Sequence, residues 1–132
     1  MTALDRRIVS TEDAPAAIGP YSQAVVAGGM VHCSGQISLD PATGQIVHEG
    51  DVKGQTERVL ANMTAVLKAA GSSPDKAVFC TVFLSSMEDF AAVNELYGRW
   101  VNQEAPPARA CVEVRRLPKD VLVEISCIAL AD

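Results

Sequence analysis

Hydrophobic positions along the chain change their period several times, and each change marks an element. Val52, Thr56, Val59, Leu60, Met63, Val66, Leu67 and Ala70 recur three and four residues apart, the spacing of one helix face. Gly71 ends that run as a C-cap. A second helical face follows in Phe90, Val93, Tyr97, Trp100 and Val101, with Ser86 as its cap and Asp89 completing an approximate capping box. Elsewhere the pattern is that of strands. Val78-Phe79-Cys80-Thr81-Val82-Phe83-Leu84 is a β-branched and aromatic run that reads as a buried strand over 77–85. Residues 23–27 and 30–34 read as two strands joined at Gly28-Gly29, and Ile46-Val47 as a short edge after the turn 39–45. Residues 1–13 are polar and carry little pattern.

Pro106-Pro107 stops the second helical region and opens a new segment. From there Ala108, Ala110, Val112 and Val114 alternate with Arg109, Cys111, Glu113 and Arg115, the period of a strand. Leu117-Pro118-Lys119-Asp120 reads as a turn, and 121–130 as a last strand. A hairpin there, with Val114 opposite Val121, sets Cys111 opposite Glu124 and Arg109 opposite Ser126. Those four side chains are then expected on one sheet face. The element order predicts an α+β sandwich with both helices packed on one sheet face. Apolar groups on both sides of the last strands leave the other face uncovered, so a homo-oligomer is expected.

With 132 residues, 48% hydrophobic and 20% charged, the chain has the composition of a single folded domain over 1–132. A net charge of -5 opposes nucleic acid as a bulk-electrostatic partner. No stretch approaches the roughly 18–20 apolar residues of a membrane helix, and the amino terminus lacks a signal-peptide core, so a cytoplasmic protein is expected. Four cysteines, Cys33, Cys80, Cys111 and Cys127, lie in predicted strands without Cys-x-x-Cys spacing. They are read as buried thiols with no disulfide framework. His32 and His48 offer no metal-ligand spacing, so no metal is expected.

Tyr21 sits in the Gly/Pro-punctuated segment 14–23, either packing that loop on the core or poised over a site. Ser34 is a hydrogen-bonding group two residues from His32, with no Gly-x-Ser-x-Gly elbow to make it a nucleophile. Asn94 lies mid-helix, either merely exposed or held for a polar contact. Arg109 carries a planar fork suited to a carboxylate, and Glu124 can hold and polarise a water. The same pair serves equally as a structural cross-strand ion pair.

Gly19-Pro20-Tyr21-Ser22-Gln23, Ser34-Gly35-Gln36, Phe90-Ala91-Ala92-Val93-Asn94, Pro107 to Val114, and Leu117-Pro118-Lys119-Asp120-Val121 to Glu124-Ile125 together resemble the Rid (YjgF) family of reactive intermediate deaminases. The likeness runs from about Ile8 to Ala129. It implies a chorismate-mutase-like α+β fold, a mixed β-sheet with two helices packed on one face, assembled as a homotrimer with clefts between subunits. It also implies hydrolysis of 2-enamine and 2-imine acids, released by pyridoxal-phosphate enzymes, to 2-keto acids and ammonia, a metabolite damage-control role. Tyr21, Ser34, Gly35, Asn94, Arg109, Cys111 and Glu124 match positions the family uses to line its cleft. On this resemblance Arg109, Glu124, Tyr21 and Ser34 are expected to act in catalysis, and Arg109, Cys111, Gly35 and Asn94 to bind substrate. No cofactor is expected, because an imine is already an electrophile. Three departures bear on substrate range: a short loop at 102–106, Ser126 where a second acid is common, and His32 beside the site serine. The competing readings are an endoribonuclease and a small-carboxylate binding or holdase module without turnover. A membrane partner is not expected.

Overall fold

The computed structural model describes residues 5–131. The expected domain over 1–132, and the patternless amino-terminal stretch, extend to residues 1–4 and 132, which lie outside the described residues. Six strands form one sheet: β1 (Arg7–Val9), β2 (Ala24–Ala27), β3 (Met30–Gln36), β4 (Ala77–Leu84), β5 (Ala108–Glu113) and β6 (Val123–Leu130). Helices α1 (Val52–Ala69) and α2 (Phe90–Trp100) pack against each other, and α1 lies on β3 and β6. The α+β class with two helices is therefore as the hydrophobic pattern predicts, and the mixed sheet is as the resemblance implies.

Strand order is β1-β2-β3-β6-β4-β5, antiparallel throughout except for the parallel pair β4 and β5. That last pair corrects the expected hairpin. β5 does not run beside β6; β4 lies between them, and α2 is the crossover that a parallel pair requires. Alternation along a strand fixes which residues share a face but not which neighbour it chooses. A short loop cannot decide this either, since residues 118–120 form a 3₁₀ turn that redirects the chain rather than a two-residue hairpin turn.

The helix-facing side of the sheet buries Val31, Cys80, Val82, Leu84, Val123, Ile125, Cys127 and Ala129 against Val59, Met63, Val66 and Leu67 of α1. Asp51 starts α1 by accepting a hydrogen bond from Gly54 N at 3.1 Å, and Gly71, at φ +84°, takes the left-handed turn that ends it. Gly28 and Gly29, at φ +58° and +77°, supply the tight turn between β2 and β3. Two local expectations need adjustment. Arg7–Val9 forms a strand within the stretch read as patternless, because three residues are too few for a period to show. Ser86 caps a 3₁₀ turn at Met87–Asp89, accepting from Glu88 N, and α2 begins only after it. All four cysteines are free thiols.

Candidate active site

A cleft of about 460 Å³ opens where the 14–23 loop crosses the carboxyl-terminal end of β3 and the start of β6. Among its lining residues are Tyr21, Ser34, Gly35, Lys119 and Glu124. The loop is held in place by Gln23, whose buried side chain accepts from Thr11 N at 2.7 Å and donates to Thr11 O and Pro15 O at 3.0 and 2.8 Å. Such a web of backbone partners gives a loop the rigidity of a regular element. Ser34 strengthens it by donating its hydroxyl hydrogen to Ser22 O at 2.6 Å. Its oxygen thus remains an acceptor for whatever occupies the cleft. Tyr21, half exposed at 52%, stands over the opening.

Glu124 forms the floor. A Cβ built on Gly35 would lie 2.1 Å from Glu124 Oε2 and 2.9 Å from its Cδ, so only glycine lets the carboxylate rest on the β3 backbone. The pairing of β3 with β6 shifts register between Cys33 and Gln36, which opens the ladder at this point. Among the described residues no hydrogen-bond or ion-pair partner meets the Glu124 carboxylate. Burial pushes its pKa above the ordinary 4.5. The carboxylate is therefore not half of a structural ion pair among the described residues.

Arg109 lies elsewhere. It stands opposite Cys80 on β4, which in turn faces Cys127 on β6, whereas Glu124 stands opposite Phe83. Its guanidinium is directed to α2, where Nη1 donates to Asn94 Oδ1 at 2.5 Å. Arg109 and Asn94 line a separate cavity of about 400 Å³ with Tyr97, Gly98, Pro106 and Pro107. Glu124 instead belongs to the face away from the helices, since its neighbours Val123 and Ile125 are fully buried on the helix side. The expected convergence of Arg109, Cys111, Glu124 and Ser126 on one face of one chain is therefore corrected. The cross-strand ion pair between Arg109 and Glu124 falls with it. The physical reason is the insertion of β4, which separates the two strands and sets Arg109 and Cys111 level with Cys80 and Val82 on the helix-facing side.

Cys111 shares the helix-facing side of β5 with Arg109 and is partly packed on the core. Burial raises its thiol pKa against the opposing pull of Arg109, so the thiol form dominates near neutrality. His32 and Ser126 lie together on the open sheet face with Thr81 and Phe79, away from the cleft. Among the described residues no three His, Cys, Asp or Glu side chains cluster as metal ligands.

Sequence reasoning passed over Lys119, which reaches the rim of the Glu124 cleft. It occupies the left-handed region at φ 56°, followed by Asp120 at φ 58°, in a turn fastened by two bonds from Arg116 to the Asp120 carboxylate at 2.6 and 3.2 Å. A Pro-Lys-Asp turn signal was visible, but nothing in it shows that the turn folds back to a cleft.

A family profile described as Endoribonuclease L-PSP matches residues 11–131. The chain belongs to the Rid (YjgF/RutC) family. Within it, a goat protein named 2-iminobutanoate/2-iminopropanoate deaminase is 47% identical over 98% of this chain and 93% of its own. A RutC family protein of Synechocystis is 52% identical over 94% of this chain and 95% of its own. Among solved structures, RidA from an Antarctic Psychrobacter superposes with a TM-score of 0.88 at 41% identity, covering 94% of this chain and 98% of that one. TdcF of E. coli, crystallised with bound serine, superposes with a TM-score of 0.87 at 44% identity over the same shares. Superposition this close over nearly the whole of both chains shows that they share one fold. No helix among the described residues is long and apolar enough to cross a membrane.

Proposed function

We propose that this Rid protein is a cytoplasmic hydrolytic deaminase, one catalytic domain over 1–132, converting 2-enamine and 2-imine acids to 2-keto acids and ammonia. The observation that carries the reading is Glu124: a half-buried, unpartnered carboxylate of raised pKa, laid on Gly35 at the floor of a cleft. The goat relative's name and the serine held by TdcF support the same substrate chemistry. Glu124 removes a proton from water as its oxygen bonds to C2, and the C=N π electrons move to nitrogen, which is protonated. In the resulting carbinolamine Glu124, having given its proton to nitrogen, takes the hydroxyl proton. The C2 carbonyl forms as the C–N bond breaks and the protonated amine leaves, and net one proton has passed from oxygen to nitrogen to release ammonia. Proton transfers of this kind contribute roughly 10²–10⁴ in rate. Tyr21 covers the site, Ser34 accepts a hydrogen bond, and backbone groups near Cys111 orient the nitrogen. No cofactor enters the scheme.

Arg109 binds the substrate carboxylate through its planar fork. Because it and Glu124 lie on opposite faces of one sheet, the complete site is composed between copies. Ile8, Phe79, Val112 and Leu130 expose 51%, 36%, 43% and 47% of their surface, and the open sheet face offers the apolar area for a homotrimer with intersubunit clefts. The test generates the imine with a serine or threonine dehydratase in the presence of semicarbazide and follows the trapped adduct. Wild type suppresses trapping; Arg109→Ala and Glu124→Gln do not. Unchanged trapping with wild-type protein removes the reading. The profile's description supports one competitor, an endoribonuclease. RNA cleavage that survives Arg109→Ala would favour it, although the net charge of -5 opposes RNA as a partner.

A further inference from the structure

Three residues of α2 meet the Arg109 guanidinium: Phe90, Asn94 and Tyr97. Their spacing of four and three places them on one stripe of the helix. Phe90 and Tyr97 stand two turns apart, about 10.5 Å along the axis. The guanidinium carbon is 5.5 Å from the centroid of the first ring and 5.1 Å from that of the second, so it lies between them. Asn94 Oδ1 takes one Nη1 hydrogen. Arg109 is thus held by two π faces and one acceptor, while its Nε and Nη2 hydrogens have no partner among the described residues. An arginine on an exposed edge strand ordinarily samples many rotamers, and ordering it on binding costs affinity.

The support behind the rings is itself rigid. Tyr97 is 5% exposed and stacks at a tilt on Trp100, 6.4 Å between centroids. Trp100 is pinned to α1 by a hydrogen bond from its Nε1 to Thr64 Oγ1 at 2.9 Å.

We infer that Phe90, Asn94 and Tyr97 form a clamp that pre-orients Arg109, leaving its Nε–Nη2 edge to receive the substrate carboxylate. Phe90 and Tyr97 are positioning residues, acting through Arg109 without touching substrate, and Asn94 acts as the acceptor that sets the rotation of the fork. The inference rests on Arg109 as the carboxylate anchor of the proposed deaminase.

Two readouts test it on the folded full-length protein. The first is the Arg109 Nε–Hε resonance in ¹⁵N-labelled protein, assigned by its loss in Arg109→Lys. A clamped guanidinium gives a ring-current-shifted signal with slow rotation about Nε–Cζ; Phe90→Leu returns it toward the position of a free arginine. The second is the Kd for 2-oxobutanoate, the 2-keto acid product of the threonine-derived imine, alongside KM and kcat for the enzymatically generated imine. Phe90→Leu and Tyr97→Leu raise both Kd and KM about tenfold with kcat within about twofold, the pattern of lost uniform binding. Tyr97→Phe, which keeps the ring, recovers the wild-type affinity. A shifted Arg109 signal in Phe90→Leu with unchanged Kd overturns the inference, as does a wild-type signal indistinguishable from a free arginine, or no 2-oxobutanoate binding by wild type. If wild type binds 2-oxobutanoate with this mutational pattern yet hydrolyses no imine, the deaminase reading fails while the clamp stands.

Discussion

Gly35 and Glu124 act as one unit, and the absent side chain of the first makes the carboxylate of the second possible. Gly35→Ala forces Oε2 out of a position only 2.1 Å from the new Cβ. Because the clash is with the end of a flexible side chain, the fold survives while the base is displaced. Steady-state kinetics should show kcat reduced about 10²-fold or more, with a circular-dichroism melt close to wild type. Glu124 also makes a signed prediction about pH. Its folded-state pKa is raised by burial, so the native protein binds that proton more tightly than the unfolded chain does. Its contribution to stability is greatest below the unfolded pKa and is lost as pH rises through the folded one. Glu124→Gln should therefore melt higher than wild type at neutral pH and match it in acid, while losing activity. The same raised pKa places the acid limb of kcat/KM above 4.5, and that limb should vanish in Glu124→Gln. Both residues were legible as parts of short motifs, because the motif records the chemistry. Their close approach was not, since it depends on a register shift between β3 and β6.

The helices were the most legible elements. A stripe of eight residues in α1 and five in α2 at helical spacing outweighs local noise, and Gly71 marks the end of the first run. Asp51→Ala removes the cap bond to Gly54 N and should cost about 1 kcal/mol in chemical denaturation. Gln55 illustrates what periodicity does not reveal. It is buried at 2%, donates to His48 O at 3.1 Å and accepts from Leu122 N at 2.8 Å, tying α1 to the entry of β6. Gln55→Ala leaves the Leu122 N–H without that acceptor, and urea titration should find about 1–3 kcal/mol less stability. From the sequence Gln55 falls on the polar face of α1 and reads as solvated surface; its burial follows only from the loop that faces it. The strand errors have the same origin. Ala108–Val114 alternates identically whether it pairs with β6 or with β4.

At the scale of the molecule, one chain places Glu124 in one cleft and Arg109 in another. Subunit mixing distinguishes a composite site from two independent ones. Arg109→Ala and Glu124→Gln chains, each inactive alone, should recover about a quarter of wild-type activity when unfolded and refolded together in equal amounts, because random assembly reunites an intact Arg109 with an intact Glu124 at that fraction of interfaces. No recovery in properly assembled mixtures would place the whole site within a single chain. Placing a charge on the open face, as in Val112→Glu, should shift sedimentation to the monomer and abolish turnover while each fold remains intact.

By itself the sequence determined the class of fold, the two helices and their buried stripes, most of the strands, and the residues able to handle a carboxylate and a proton. These are properties of local period and side-chain chemistry, and short-range sterics write them into neighbouring residues. Only the tertiary structure decided which strands are neighbours, and therefore that β4 parts Arg109 from Glu124. It alone set the Glu124 carboxylate on Gly35 and the Arg109 guanidinium between Phe90 and Tyr97. Strand order follows from the crossover of α2 and the burial of one whole sheet face, free energies that belong to no single stretch of chain.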